Sequence, residues 1–187
     1  MAILQLTHTP ILNSSAQLLI LPANTAGIVL DPVLIRAKTL FADNHQRYYR
    51  ACRDGSLNVG SCLLHKRSLE QAGLSVSSNG NQPSYIANLV ISDHPYHPAR
   101  TRWLTAALLD LQQQLFPLIR YQGIRRAALL ARPLIFSNPR DHTPDVLNVV
   151  KPIPLDWHTD TLPLLTQKLQ DLPKLRIDIH LPKDINI

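Results

Sequence analysis

The sequence predicts an α/β protein: a three-layer α/β/α sandwich with a mixed central sheet. Two observations predict it. Six short apolar runs read as strands with helical patterns between them, and several of those runs are continuously apolar, as strands buried on both faces are. Strands that alternate with helices need crossover connections, which cover both faces of a parallel or mixed sheet. With 187 residues, 45% of them hydrophobic, the chain can bury one sizeable core, so a single domain over residues 1–187 is expected.

The strand runs are AILQL (2–6), QLLILP (17–22), GSCLLHK (60–66), SYIANLVI (84–91), RAALLA (126–131) and KLRIDIHL (174–181). A first helix begins at Pro32, whose ring suits a first turn, with Asp31 ahead of it as a cap; Val33, Ile35, Ala37, Leu40 and Phe41 form its apolar face. A second takes in NHQRYYRACRDG and stops at Gly55. The strongest pattern spans residues 99–121, where Leu104, Ala107, Leu108, Leu111, Leu115 and Leu118 recur at helical steps and Pro117 should bend or end the helix. A last helix, TDTLPLLTQKLQDL, starts at a Thr or Asp cap with Pro163 in its first turn.

Two segments have no regular pattern. Residues 68–83 are rich in Ser, Gly and Asn and read as a flexible surface loop. Residues 133–154 carry apolar side chains between prolines, and a connection of that length is more often functional than decorative. Leu134, Ile135, Phe136, Val146, Leu147, Val149 and Val150 either plug a cleft or present an apolar surface to a partner, and the plug is the favoured expectation.

Lys and Arg outnumber Asp and Glu by 19 to 13, a net charge of +6 that suits nucleic acid, a nucleotide diphosphate or an acidic protein surface as partner. The basic residues are scattered, and two groups stand out. Arg47, Arg50 and Arg53 beside His45, Tyr48 and Tyr49 could grip phosphates and stack a base, or could form a solvated helix face; Arg125, Arg126 and Arg132 flank the fifth strand. Cys52 and Cys62 lie in no metal or redox spacing, so they are expected as buried or half-buried thiols in a reducing compartment. The first residues lack a basic flank and a cleavage site, and no apolar run approaches the roughly 20 residues a bilayer needs, so the expected location is cytoplasmic, with no membrane contact. No P-loop, dinucleotide fingerprint or G-x-S-x-G elbow occurs.

The element order, together with LILPANTAG, YRACRDGSLNVGSCLL, YIANLVISDH and PLDWHTDTLPLLTQKLQDLPKLRIDIHLP, resembles the macro domain family. The likeness is greatest to the branch of the DarG antitoxins and the terminal ADP-ribose protein glycohydrolase, and it runs from about Leu12 to Leu181. It implies an ADP-ribose or related nucleotide ligand, without a metal or other cofactor, held by Asn24, Thr25, Gly27, Asp31, Arg132, Ile135, Phe136 and Ser137. It also exposes departures. The family's adenine-binding aspartate falls on Pro10, its phosphate-cradling Gly-x-Gly on Leu30, Asp31 and Pro32, and its second phosphate loop on Pro133 to Phe136. The branch's catalytic lysine falls near Ser92 and its partner aspartate near Ile153. An aspartate repels phosphate and a proline has no amide to donate, so the resemblance implies a binding module whose hydrolytic chemistry has been dismantled, acting through a nucleotide-type ligand or a protein partner in the manner of an antitoxin or immunity protein. The competing expectation is an active ADP-ribosyl hydrolase.

One polar group could serve that competitor. Asp93, His94 and His97 end the fourth strand, and Asp156, His158 and Asp160 open the last helix; if the two segments meet at one edge of the sheet, carboxylate and imidazole suffice for general acid and base work or for a metal. The same residues also read as turn residues before Pro95 and Pro98 and as helix caps.

Overall fold

The computed structural model of the chain describes residues 1–68, 82–131 and 155–187. Six strands form one sheet: β1 (Ile3–Thr7), β2 (Leu18–Asn24), β3 (Cys62–Lys66), β4 (Tyr85–Ser92), β5 (Arg126–Leu130) and β6 (Arg176–His180), in the spatial order β1-β6-β5-β2-β4-β3. Among the described residues only the β3–β4 pair is antiparallel, so the sheet is mixed, as expected. The expected loop at 68–83, apart from its ends, and the whole 133–154 segment with its plug lie outside the described residues.

The central strands alternate between two cores. Leu18, Ile20, Ala87, Leu89, Ala127 and Leu129 point to one face, while Leu19, Leu21, Ile86, Ala128 and Leu130 point to the other, as the two-residue period of a strand requires. On the first face lie α3 (Thr101–Tyr121), which buries Leu104, Ala107, Leu108, Leu111, Leu115 and Ile119, and α4 (Leu162–Leu169), which buries Leu165 and Leu169. Against the second face pack a short 3₁₀ turn (Ile11–Asn13), α1 (Pro32–Leu40) and the start of α2 (Ala42–Arg53).

Several local expectations need correction. In α1 the buried stripe is Ala37 with Val33 and Leu34 half-buried, followed by Phe41; Ile35 and Leu40 face solvent. Ala37 to Phe41 is a four-residue step and Val33 to Ala37 another, whereas Ile35 stands about 200° from Ala37 around the helix. Pro117 does not end α3, which continues to Tyr121. Pro117 and Gln113 are both exposed, so water can take the carbonyl that the proline leaves without a donor. The last helix starts earlier than expected, in a π turn (Trp157–Thr161) that runs straight into α4. Asp156 caps it: its Oδ1 accepts from the Thr159 amide at 2.8 Å, and Asp160 Oδ2 accepts from the Asp156 amide at 2.9 Å, a reciprocal arrangement akin to a capping box.

The start of α2 is fastened to β3 by a buried cluster. Asp43 Oδ2 contacts His65 Nε2 at 2.9 Å, and its carboxylate accepts from Arg67 Nε and Nη2, while the Arg67 guanidinium lies 4.7 Å from the centre of the Phe41 ring. Burial alone lifts the Asp43 carboxyl, but the hydrogen bonds from Arg67 and His65 outweigh it and hold the group below its usual range. One step along the helix, Asn44 and Asn88 exchange amide hydrogen bonds at 3.1 and 2.8 Å, and Asn88 also donates to the Leu63 carbonyl.

Two outcomes are expected. Leu108→Ala opens a cavity under the long helix and should cost about 2–5 kcal/mol in denaturant unfolding. Because Asp43 is depressed in the folded state, its contribution is present above an aspartate's ordinary value of about 4 and is lost as pH falls through the lower folded value. The gap in melting temperature between the wild type and Asp43→Asn should therefore be wide at pH 7 and narrow steadily below pH 4; a gap independent of pH would contradict the ion pair.

Candidate functional site

β2 and β4 lie side by side and parallel, yet the chain leaves them in opposite directions. From β2 it turns to α1 on one face of the sheet; from β4 it turns to α3 on the other. A crevice must open between such diverging connections, and open α/β sheets place ligands there. A cleft of about 240 Å³ occupies this point. Its walls come from the end of β2 and the loop after it (Asn24, Ile28, Leu30, Asp31), from the end of β4 and its loop (Ser92, Tyr96, His97), and from Leu155.

The loop after β2 is held by its own first residue. At Asn24 the ladder slips, so that Ala23 faces Val90 but Asn24 faces Ser92, a bulge that turns the strand out of the sheet. Asn24 is buried; its Nδ2 donates to the Ile28 carbonyl at 2.8 Å, and its Oδ1 accepts from the Ile28 amide at 3.4 Å, closing the turn through Gly27. Gly27 adopts φ +72°, where L side chains are strained, and an added Cβ would sit 3.3 Å from Tyr49 Cδ2. Thr25 is tied to the end of β4, its amide to Ser92 O at 3.2 Å and its hydroxyl to Asp93 O at 3.3 Å.

Beyond the turn, Asp31 stands at the N-terminus of α1, where Oδ1 accepts from the Val33 amide at 2.8 Å and the Leu34 amide at 3.4 Å. These are the donors with which a helix start receives phosphate, and Pro32 contributes none. A carboxylate of the chain itself therefore occupies amide donors that a helix start otherwise offers to an anion.

On the opposite wall Ser92 is buried and donates to the His94 carbonyl at 3.2 Å. His97 lines the cleft, and its Nδ1 lies 3.0 Å from Asp93 Oδ1. Burial is the largest single effect on the Asp93 carboxyl and lifts it, but the hydrogen bond and charge of His97, with nearby Arg100, together outweigh it and hold the group below its usual range. His94 makes no hydrogen bond to this pair; its Nδ1 accepts from the Tyr96 amide, and its ring lies between those of Tyr96 and His97, 5.2 Å from each. Leu155 joins the same cleft, but the next residue, Asp156, is engaged with Thr159 as a helix cap, with its carboxyl lowered by that amide bond. His158 belongs to the π turn. No three His, Cys, Asp or Glu side chains among the described residues form a group that could hold a metal. Arg132, Ile135, Phe136 and Ser137 lie outside the described residues, as does Ile153.

The two basic groups separate clearly. Arg125 donates to the Ile119 and Ile124 carbonyls at the end of α3, and Arg126 donates to Ser15; both lie at the start of β5, the end of the sheet away from the cleft. Arg47, Arg50 and Arg53 are exposed on α2, and none is paired with a carboxylate among the described residues. Tyr48, offered by the sequence with Tyr49 as able to stack a base, is instead buried beneath Asn24. The spacing of Phe41, Asn44 and Tyr48, three and then four residues, is the sequence signal that places it on the inner face. Burial lifts both thiols, Cys62 to about 12, and Cys52 Sγ is 3.6 Å from the Asn24 carbonyl, so neither is a ready nucleophile.

The arrangement of sheet and helices is shared with known structures. It is similar to the macrodomain of Thermus aquaticus DarG (TM-score 0.71, 22% identity, 97% of this chain and 100% of that one) and to that of Mycobacterium tuberculosis DarG (TM-score 0.70, 19% identity, 98% and 100%). It is also similar to Thermosipho africanus DarTG in complex with ADP-ribose (TM-score 0.69, 22% identity, 99% of this chain and 43% of that one). The chain has the macrodomain fold. Within that fold it resembles the macrodomains of DarG, and in sequence it is 27% identical over 128 residues to a Thermus aquaticus DNA ADP-ribosyl glycohydrolase, a match covering 68% of this chain. That match spans about a third of the length of the glycohydrolase (31%). No protein-family model matches the chain. Among the described residues no helix is long and apolar enough to cross a membrane.

Gly27→Ala should lower stability by about 1–2 kcal/mol, because alanine resists a positive φ, and thermal unfolding reads the change. A melting temperature equal to the wild type would mean that the turn relaxes freely.

Proposed function

We propose that the chain is a macrodomain-type module that binds ADP-ribose or a related nucleotide, or a protein partner through the same cleft, and that efficient ADP-ribosyl hydrolysis has been lost. The observation that carries this reading is a cleft retained at the switch point of the sheet without the chemistry to use it. The described residues lining it include no lysine or arginine, and Ser92, where the resemblance puts the catalytic lysine, is occupied with the His94 carbonyl. The likeness to a DarTG structure with ADP-ribose supports the ligand class. The exposed row of Arg47, Arg50 and Arg53, beside a ligand loop that touches Tyr49, fits an ADP-ribosylated nucleic acid as the macromolecule, in keeping with the DNA substrate named for the Thermus relative.

A second reading rests on one specific pair. His97 reaches the cleft and is oriented by Asp93, an arrangement able to move a proton during hydrolysis. Titration with ADP-ribose in a thermal-shift assay, followed by incubation with ADP-ribosylated DNA and protein, separates the two. A shift without turnover supports the binding module; turnover abolished by His97→Asn supports the hydrolase; neither a shift nor turnover removes ADP-ribose from the account. If the carboxylate at the start of α1 opposes the diphosphate, Asp31→Ser, which keeps a cap and removes the charge, should tighten ADP-ribose binding by about tenfold, or roughly 1.4 kcal/mol. Weaker binding by that variant would show that Asp31 contributes to the ligand contact.

A further inference from the structure

We infer that Tyr48, which does not line the cleft, is the positioning residue for its wall, and that α2 acts as a strut setting where the ligand loop stands. The inference rests on the reading of the cleft as a ligand site. Tyr48 is 4% exposed, on the side of α2 that faces the sheet. Its hydroxyl donates to the Asn24 carbonyl at 2.5 Å and accepts from the Asn24 amide at 3.3 Å, so one phenol takes both main-chain polar groups of the residue at which the ladder slips. Burial raises the phenol far above its ordinary value, so it remains a donor across the physiological range. Asn24 passes this constraint on: with backbone fixed by Tyr48, its side chain grips both polar groups of Ile28, and Ile28 is cleft wall.

A small cavity of about 50 Å³ lies on the other side of the same loop, bordered by Tyr48, Asn44, Asn88 and His45. The Asn24 to Ile28 wall thus borders two spaces, although Gly27 lies close against Tyr49 and Cys52 of α2. Without the phenol hydroxyl Asn24 loses its main-chain tie to α2, and the Ile28 wall can shift between the two spaces. α2 itself has no such room, because Asp43 with His65 and Arg67, and Asn44 with Asn88, hold it to β3 and β4.

The test compares the wild type, Tyr48→Phe and the remote core variant Ile179→Val. Three readouts are used: ADP-ribose Kd by calorimetry, melting temperature, and amide hydrogen exchange at residues 25–28. Tyr48→Phe keeps the ring and loses one hydroxyl, so binding should weaken about tenfold and the amides at 25–28 should exchange about tenfold faster. Ile179→Val should lower the melting temperature by a similar amount and leave both other readouts unchanged. Wild-type Kd and wild-type loop exchange in Tyr48→Phe would overturn the inference, as would equal effects of the two variants on Kd. If the wild type does not bind ADP-ribose, the proposed function fails while loop exchange still decides the role of Tyr48. Should Tyr48→Phe not fold, exchange in the unaltered protein decides: the Ile28 amide must be protected, and exchange at the rate of an open chain overturns the strut.

Discussion

The pairing of β2 with β4 is the constraint from which the site follows. Each strand is parallel to the other, each is buried on both faces, and each must release its chain toward a different layer of helices. Two parallel neighbours with opposite exits cannot close the space above their ends with a shared helix, so a cleft remains there whatever the loops contain. The apolar alternation of both strands holds the register that builds it. A slip of one residue would send Leu18, Ile20, Ala87 and Leu89 from one core to the other.

Within that cleft most of the polar groups on the described walls are engaged with the chain itself. Phosphate recognition depends on amide donors that have no internal partner, and the start of α1 would offer them. Here Asp31 takes two of them and Pro32 removes another, so the helix start is satisfied from within the chain. The opposite wall is similar in kind: Ser92 spends its hydroxyl on the next turn, and the pair with proton-transfer chemistry, Asp93 and His97, stands at the exposed edge. The cleft is an apolar recess with a few polar groups at its mouth.

The second layer explains how such a loop keeps its form. The turn at Asn24 to Ile28 contains one glycine at a positive φ and few apolar contacts of its own, so its order comes from hydrogen bonds. Those bonds lead through Tyr48 into α2, and from α2 through Asn44 and Asp43 into β3 and β4. α2 therefore carries two faces of different use: an inner one that is polar, buried and fully engaged, and an outer one whose arginines remain in solvent.

The sequence by itself determined the layers and the strands. Periodicity is a local property, and the runs at QLLILP and SYIANLVI or the helical steps from Leu104 to Leu115 carry it without reference to the rest of the chain. The cap at Asp31 was legible for the same reason, since a cap acts within one turn. Local rules misplaced Ile35 and Leu40 in α1 and missed the π turn ahead of the last helix, where the neighbouring layer and solvent decided instead. Only the tertiary structure decided the roles of the polar residues. That Tyr48 belongs to Asn24 and that Arg125 and Arg126 stand at the far end of the sheet from the cleft depend on which strand end meets which helix. A hydrogen bond joins atoms about 3 Å apart across dozens of residues of chain, and no pattern along that chain records the distance.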